Sequence, residues 1–123
     1  MLDYSQIRSH CMAKPGTTEE TPFDEITVTF KVKGKMYVLI NPEGMPLRMN
    51  LKCDPETAEA LRELHQAIQP GYHMNKTHWN TVTIDGSIPD DEILRMIDYS
   101  YKLVAESLPK SVRAELGLQE KPR

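Results

Sequence analysis

The thirteen residues from Pro70 to Val82, PGYHMNKTHWNTV, concentrate the side chains most able to meet a ligand. Tyr72, His73, Asn75, Lys76, His78, Trp79 and Asn80 fall within nine positions. Rings of this kind stack on bases, and the cations among them grip phosphate. The same residues equally suit a scaffold, with Trp79 in the core and the asparagines and histidines holding turns. A second set lies upstream. Thr27, Thr29, Lys31 and Lys33, then Lys35 and Tyr37, then Arg48, Asn50 and Lys52 occupy alternate positions in three short segments, and none is acidic. Gathered on one surface, they would offer cations to phosphates and neutral hydrogen bonds beside them. The competing reading is a solvated sheet face whose lysines guard exposed edges.

Other chemistries fit poorly. His73 and His78 are five apart, which puts them on one face of neither a helix nor a strand, and no second ligand pair has zinc spacing. We therefore expect no metal and no cofactor. Lys14-Pro15-Gly16-Thr17-Thr18 lacks the spacing of a phosphate loop and follows a helix, not a strand. No GxSxG motif occurs, and no Cys/His dyad can be argued from spacing, so no catalytic residue is assigned and the chain is not read as an enzyme. Cys11 and Cys53 have no CxxC partner and read as buried apolar thiols.

The elements that must position these residues are legible from periodicity. Residues 3–13 read as a helix capped by Asp3, with Gln6 at the capping-box position, and stopped by Pro15-Gly16. Residues 14–23 read as a connector. Residues 25–33 alternate, with Ile26, Val28, Phe30 and Val32 inward. Gly34 turns the chain into 35–41, with Met36, Val38 and Ile40 inward and Lys35, Tyr37 and Leu39 outward. After Asn41-Pro42-Glu43-Gly44, residues 46–53 place Leu47, Met49, Leu51 and Cys53 inward. Asp54-Pro55 opens a helix whose stripe is Ala58, Leu61, Leu64 and Ile68, ended by Pro70-Gly71. One or two strands follow within 72–84, then a long helix over 89–107 and a short one over 110–116. Short turns between strands make an antiparallel sheet. The reading is therefore an α+β two-layer sandwich of about four or five strands, with helices on one face, in the order α-β-β-β-α-β(β)-α-α. Residues 1–118 form one domain and 119–123 a frayed tail.

With 123 residues, the chain is long enough for one core. Its net charge of −3 argues mildly against nucleic acid, but the average conceals a segregation. Residues 25–53 carry five bases against two acids, 54–68 four acids against one base, and 85–108 six acids against two bases. Acids thus sit on the predicted helices and bases on the predicted strands. No run of 18 apolar residues exists and residues 1–10 lack a signal-peptide core, so the expectation is a cytoplasmic protein with no membrane partner.

Several stretches together resemble the MmcQ/YjbR family. They are Cys11 to Phe23, the strand text KVKGKMYVLI, Asn50 to Glu56, PGYHMNKTHWNTV, and Pro89 to Val104, within matches spanning about 4 to 116. The resemblance implies a CyaY-like α+β fold. It also implies the family's description as DNA-binding proteins with a double-wing sheet. The expected interface is Lys31, Lys33, Lys35, Arg48, Asn50 and Lys52, with His73, Lys76, His78 and Trp79 at its margin. Four phosphate contacts would give a slope of log K against log salt of roughly −3 to −4. The alternative is a protein- or small-ligand-binding module using the same open face and the aromatic and histidine stretch at 72–80, or a homodimer burying the sheet.

Overall fold

The computed structural model describes residues 1–71 and 74–118. Its elements are α1 (Tyr4–Met12), β1 (Thr17–Glu20), β2 (Val28–Val32), β3 (Lys35–Ile40), β4 (Leu47–Lys52), α2 (Pro55–Leu64), β5 (Ile68–Pro70), β6 (Trp79–Ile84), α3 (Asp90–Glu106) and α4 (Lys110–Glu115). The strands form one antiparallel sheet in the order β1-β2-β3-β4-β6-β5. The fold is thus the expected α+β sandwich, with six strands where four or five were predicted. No helix of the described residues is long and apolar enough to cross a membrane. The expected tail at 119–123 lies outside the described residues.

Local signals explain the helices. Asp3 accepts a hydrogen bond from Gln6 N at 2.8 Å, and Gln6 Oε1 accepts from Asp3 N at 2.9 Å, the reciprocal box that starts α1. Asp54 caps α2 by accepting from Thr57 N at 3.0 Å, with Pro55 at the first helical position. The long helix α3 buries Ile93, Ile97, Ser100, Tyr101, Val104 and Ala105 on one stripe. That stripe meets Phe30, Val38, Ile40, Met49 and Leu51 from the sheet to form the core.

Two strands escaped the periodicity. β1 was read as connector because Thr-Thr-Glu-Glu has no apolar alternation. It pairs instead with β2 through its backbone. On its helix-facing side Glu19 accepts from Arg8 Nε at 2.8 Å and from Tyr4 Oη at 3.0 Å. β5 was read as the end of α2, since Leu61, Leu64 and Ile68 repeat at helical spacing. The helix stops at Leu64, which is 72% exposed, and His65 takes an extended conformation. Ala67 and Ile68 are then buried beside β6.

The register of β3 also departs from the simple alternation. Phe30 pairs with Val38, but Lys31 pairs with Met36, so Tyr37 is an extra residue in a β-bulge. Tyr37 turns inward and is fully buried. Its hydroxyl lies 2.8 Å from Thr17 Oγ1 and donates to the Cys11 carbonyl at 3.3 Å, and its ring meets Tyr101 edge-on at 5.1 Å. Ser100 of α3 closes the gap this leaves. Its Oγ donates to Tyr37 O at 2.6 Å and accepts from Lys52 N at 2.9 Å, joining β3 to β4 where their own pairing ends.

Asp54 is also reached by Tyr99 Oη of α3. That bond, with those from Thr57, holds the Asp54 carboxyl down at about 2, against an ordinary value of 3.8. The folded value is the depressed one. The contribution of this carboxylate to stability is therefore complete above the ordinary value and lost as pH falls through about 2.

Two outcomes are expected. Ser100→Ala strands a carbonyl and an amide in the interior and should cost about 1–3 kcal/mol in urea denaturation. A loss indistinguishable from zero would show that Ser100 does not join the strands. In Tyr99→Phe, the NMR titration midpoint of the Asp54 carboxyl should rise from about 2 toward 3.8, and an unmoved midpoint would refute the assignment.

Candidate ligand face on the open sheet

Helices cover one side of the sheet. The other side presents three rows of side chains running across the strands. The middle row is Thr29, Leu39, Asn50, Thr81 and Gln69, set by direct pairing of these residues. One flanking row holds the pair Arg48 and Thr83. The other holds Lys31 with Met36 and Lys52 with Trp79. A concavity of about 750 Å³ lies over the middle row and the Arg48 row. Asn41, Gly44 and Pro46 of the β3–β4 turn line one end of it, and Gln69 and Pro70 of β5 line its side.

Of the residues predicted for this face, Arg48, Asn50, Lys52 and Trp79 are brought together there. Lys31 also faces outward, but its Nζ lies 3.6 Å from Glu20 Oε2 of the unexpected strand β1, so the face is not free of acids. Thr29 has the outward parity yet is fully buried, with its hydroxyl bonded to the Glu20 carbonyl at 3.2 Å. Ile26, expected inside, is 45% exposed in the loop before β2.

Lys33 and Lys35 are corrections. Lys33 takes a left-handed turn conformation (φ 49°), and its Nζ lies 3.8 Å from Glu115 Oε2 of α4. Lys35 donates to Ser107 Oγ at the end of α3, at 3.2 Å. Both therefore reach toward the helix layer. For Lys35 the bulge at Tyr37 is the cause, because one inserted residue exchanges inward and outward positions before it in β3, and for Lys33 the cause is the left-handed turn. Met36 takes the outward place expected of Lys35 and Tyr37.

Within the described part of the 70–82 stretch, Trp79 reaches the open face while Lys76, His78 and Asn80 make contacts within the fold. Lys76 Nζ donates to Gly71 O at 3.1 Å, and His78 is exposed while its carbonyl accepts from Cys53 N at 2.8 Å. His73 lies outside the described residues. Arg62 of α2, which sequence reasoning passed over, organises this segment. Its Nε donates to Asn80 Oδ1 at 2.7 Å, and its Nη2 donates to the carbonyls of Lys76 and Trp79. Asn80 in turn donates to Ala58 O at 3.4 Å. The available signal was one base within an otherwise acidic helix, on the half-buried side.

Elsewhere, Asp98 of α3 accepts from His10 Nε2 at 2.6 Å and from Lys14 Nζ. Burial pushes its carboxyl up, but these hydrogen bonds and charges outweigh burial and hold it below the ordinary range. The cluster fastens α1 to α3. Cys11 and Cys53 are buried free thiols, pushed by burial to about 12 and about 11, so neither is a thiolate near neutrality. Among the described residues no group of three or more His, Cys, Asp and Glu side chains is placed to hold a metal ion.

Comparison with known proteins agrees with this architecture. The YjbR family profile matches residues 12–103. The chain belongs to the YjbR family. It is 36% identical over 112 residues to the uncharacterized protein YjbR of Escherichia coli K12, covering 91% of this chain and 95% of that one. It is 32% identical to the uncharacterized protein YyaQ of Bacillus subtilis, covering 84% and 98%. The crystal structure of Deinococcus radiodurans protein DR2400, a DUF419 domain, superposes with a TM-score of 0.92 at 43% identity, covering 100% of this chain and 94% of that one. A Pseudomonas syringae protein of 27% identity superposes at 0.72, over 84% of this chain and 99% of its own.

The backbone at Gly71 makes one close approach to β6 and Met74. A Cβ at Gly71 would lie 2.8 Å from Trp79 Cβ and 3.0 Å from Met74 Cβ. Gly71→Ala should therefore destabilise by about 1–3 kcal/mol, read by thermal or urea unfolding followed at Trp79. Wild-type stability would show that the backbone there relaxes freely.

Proposed function

We propose that this YjbR protein is a nucleic-acid-binding protein, DNA being the expected partner, and that the open sheet face is its interface. The observation that carries the reading is the placement of charge. Arg48 has no acidic partner among the described residues, and it stands with Lys52 on the one sheet face that no helix covers. The acids of α2 and α3 belong to the opposite layer. Asn50, Thr83 and Gln69 supply neutral hydrogen-bonding groups between the cations, as backbone-directed contacts require. The reading is of a binding protein without catalysis.

The tertiary arrangement makes the interaction weaker than the strand bases alone implied. With Lys33 and Lys35 engaged on the helix side, two phosphates would meet Arg48 and Lys52, and a third would have to draw Lys31 from Glu20. Two to three phosphates give a slope of log K against log salt of roughly −2 to −3 on duplex DNA.

Fluorescence anisotropy with single-stranded and duplex oligonucleotides at about 50 mM salt tests this. Arg48→Glu with Lys52→Glu should abolish binding, while Lys33→Glu with Lys35→Glu should leave it close to wild type. Absence of binding to every oligonucleotide, or undiminished binding by the Arg48/Lys52 double variant, would overturn the proposal.

A further inference from the structure

The concavity on the open face is asymmetric. The β3–β4 turn, through Asn41, Gly44 and Pro46, lines one end. Arg48, one residue into β4, stands beside that end, and among the described residues it is the only charged side chain lining the space. Lys52 and Trp79 lie four residues further along β4, roughly 13 Å away at the rise of a strand, beyond the lining. A concavity bounded at one end by the β3–β4 turn, with Arg48 beside that turn and Lys52 and Trp79 four residues further along β4, suits an extended ligand that ends against the turn.

The neutral groups specify more. Thr81 Oγ1 donates to Asn50 Oδ1 at 2.6 Å, so the end of Asn50 left for a ligand is its amide nitrogen, a donor. Gln69 Nε2 donates to Gln66 O at 2.9 Å, which leaves Gln69 its Oε1 acceptor and one remaining N–H. The amide nitrogen of Asn50 thus stands two residues from Arg48 on the same face of β4, a neutral donor beside the place an anion would sit. The acceptor stands at the β5 side, where a base edge carrying N–H groups would lie. The volume, about 750 Å³, falls in the range that holds one small organic unit.

We infer that the turn-lined end of this concavity receives the phosphorylated terminus of a nucleic-acid strand, with Arg48 as its anchor. The inference rests on the nucleic-acid reading of the face and goes beyond it by making the site specific for an end. A terminal phosphate monoester carries about −1.5 to −2 charges and three acceptor oxygens at neutral pH. An internal diester carries a single charge. One guanidinium, with its planar fork of donors, discriminates most strongly for the more highly charged group. The remainder of the strand leaves toward Lys52 and Trp79.

The test uses one single-stranded sequence in three forms: 5′-phosphorylated, 3′-phosphorylated, and with both ends hydroxyl, each labelled away from the end under study. One phosphorylated form should bind the full-length protein about tenfold more tightly than the hydroxyl form. Arg48→Gln should erase that preference, and Arg48→Lys, which keeps the charge without the fork, should reduce it. Lys52→Gln should weaken all three forms by a common factor and keep the preference. Equal affinity for the three forms, or a preference that survives Arg48→Gln, overturns the end site while leaving general binding intact. Failure of every form to bind removes the underlying reading and the end site with it.

Discussion

Tyr37 occupies one more position in β3 than its partner strand can match, and the consequences reach most of the molecule. The buried phenol draws Thr17 of β1 and the end of α1 toward the sheet and stacks edge-on against Tyr101 of α3. Burial lifts its ionisation far above the ordinary range, so it acts as a neutral hydrogen-bonding group throughout the physiological range. The same insertion ends the pairing of β3 with β4 at Val38 and Leu51, and Ser100 supplies the missing link. A buried hydroxyl is tolerable there because both its donor and its acceptor capacity are used.

The bulge also decides the electrostatics of the open face. Alternation carried through without an inserted residue would have put Lys31, Lys33 and Lys35 together with Arg48 and Lys52. The insertion sends Lys35 to Ser107, and the left-handed turn at Lys33 sends that ammonium toward Glu115. What remains is a sparse arrangement: two cations at opposite ends of β4, a third balanced by Glu20, and a neutral row between. Exposed pairs such as Lys31 with Glu20 are individually weak, so a polyanion can displace the acid at modest cost.

The β5–β6 connection illustrates how a site-like composition can serve structure. Lys76, Trp79 and Asn80 meet Arg62 chiefly through backbone carbonyls and one amide. A guanidinium holds several acceptors in fixed directions, so a single residue of α2 ties Lys76, Trp79 and Asn80 together. The Deinococcus radiodurans protein DR2400 shares this architecture across nearly its whole length.

The amino-acid sequence by itself determined the helices, the hairpin and the inward faces of β2 and β4. Each of these rests on interactions between near neighbours: the Asp3–Gln6 box, the Asp54-Pro55 start, and the alternation from Val28 to Val32 and Leu47 to Cys53. The outward positions of Arg48, Asn50 and Lys52 followed from the same alternation. Tertiary structure alone decided the rest. β1 and β5 carry no periodic signal, because an edge strand of four or three residues is held by backbone pairing and not by its own apolar pattern. The bond of the buried Tyr37 to Thr17, the reversal of Lys35, the balance of Lys31 by Glu20 and the anchoring by Arg62 all depend on partners eleven or more residues away. Such partners are chosen by how the layers pack, a quantity that no local spacing encodes.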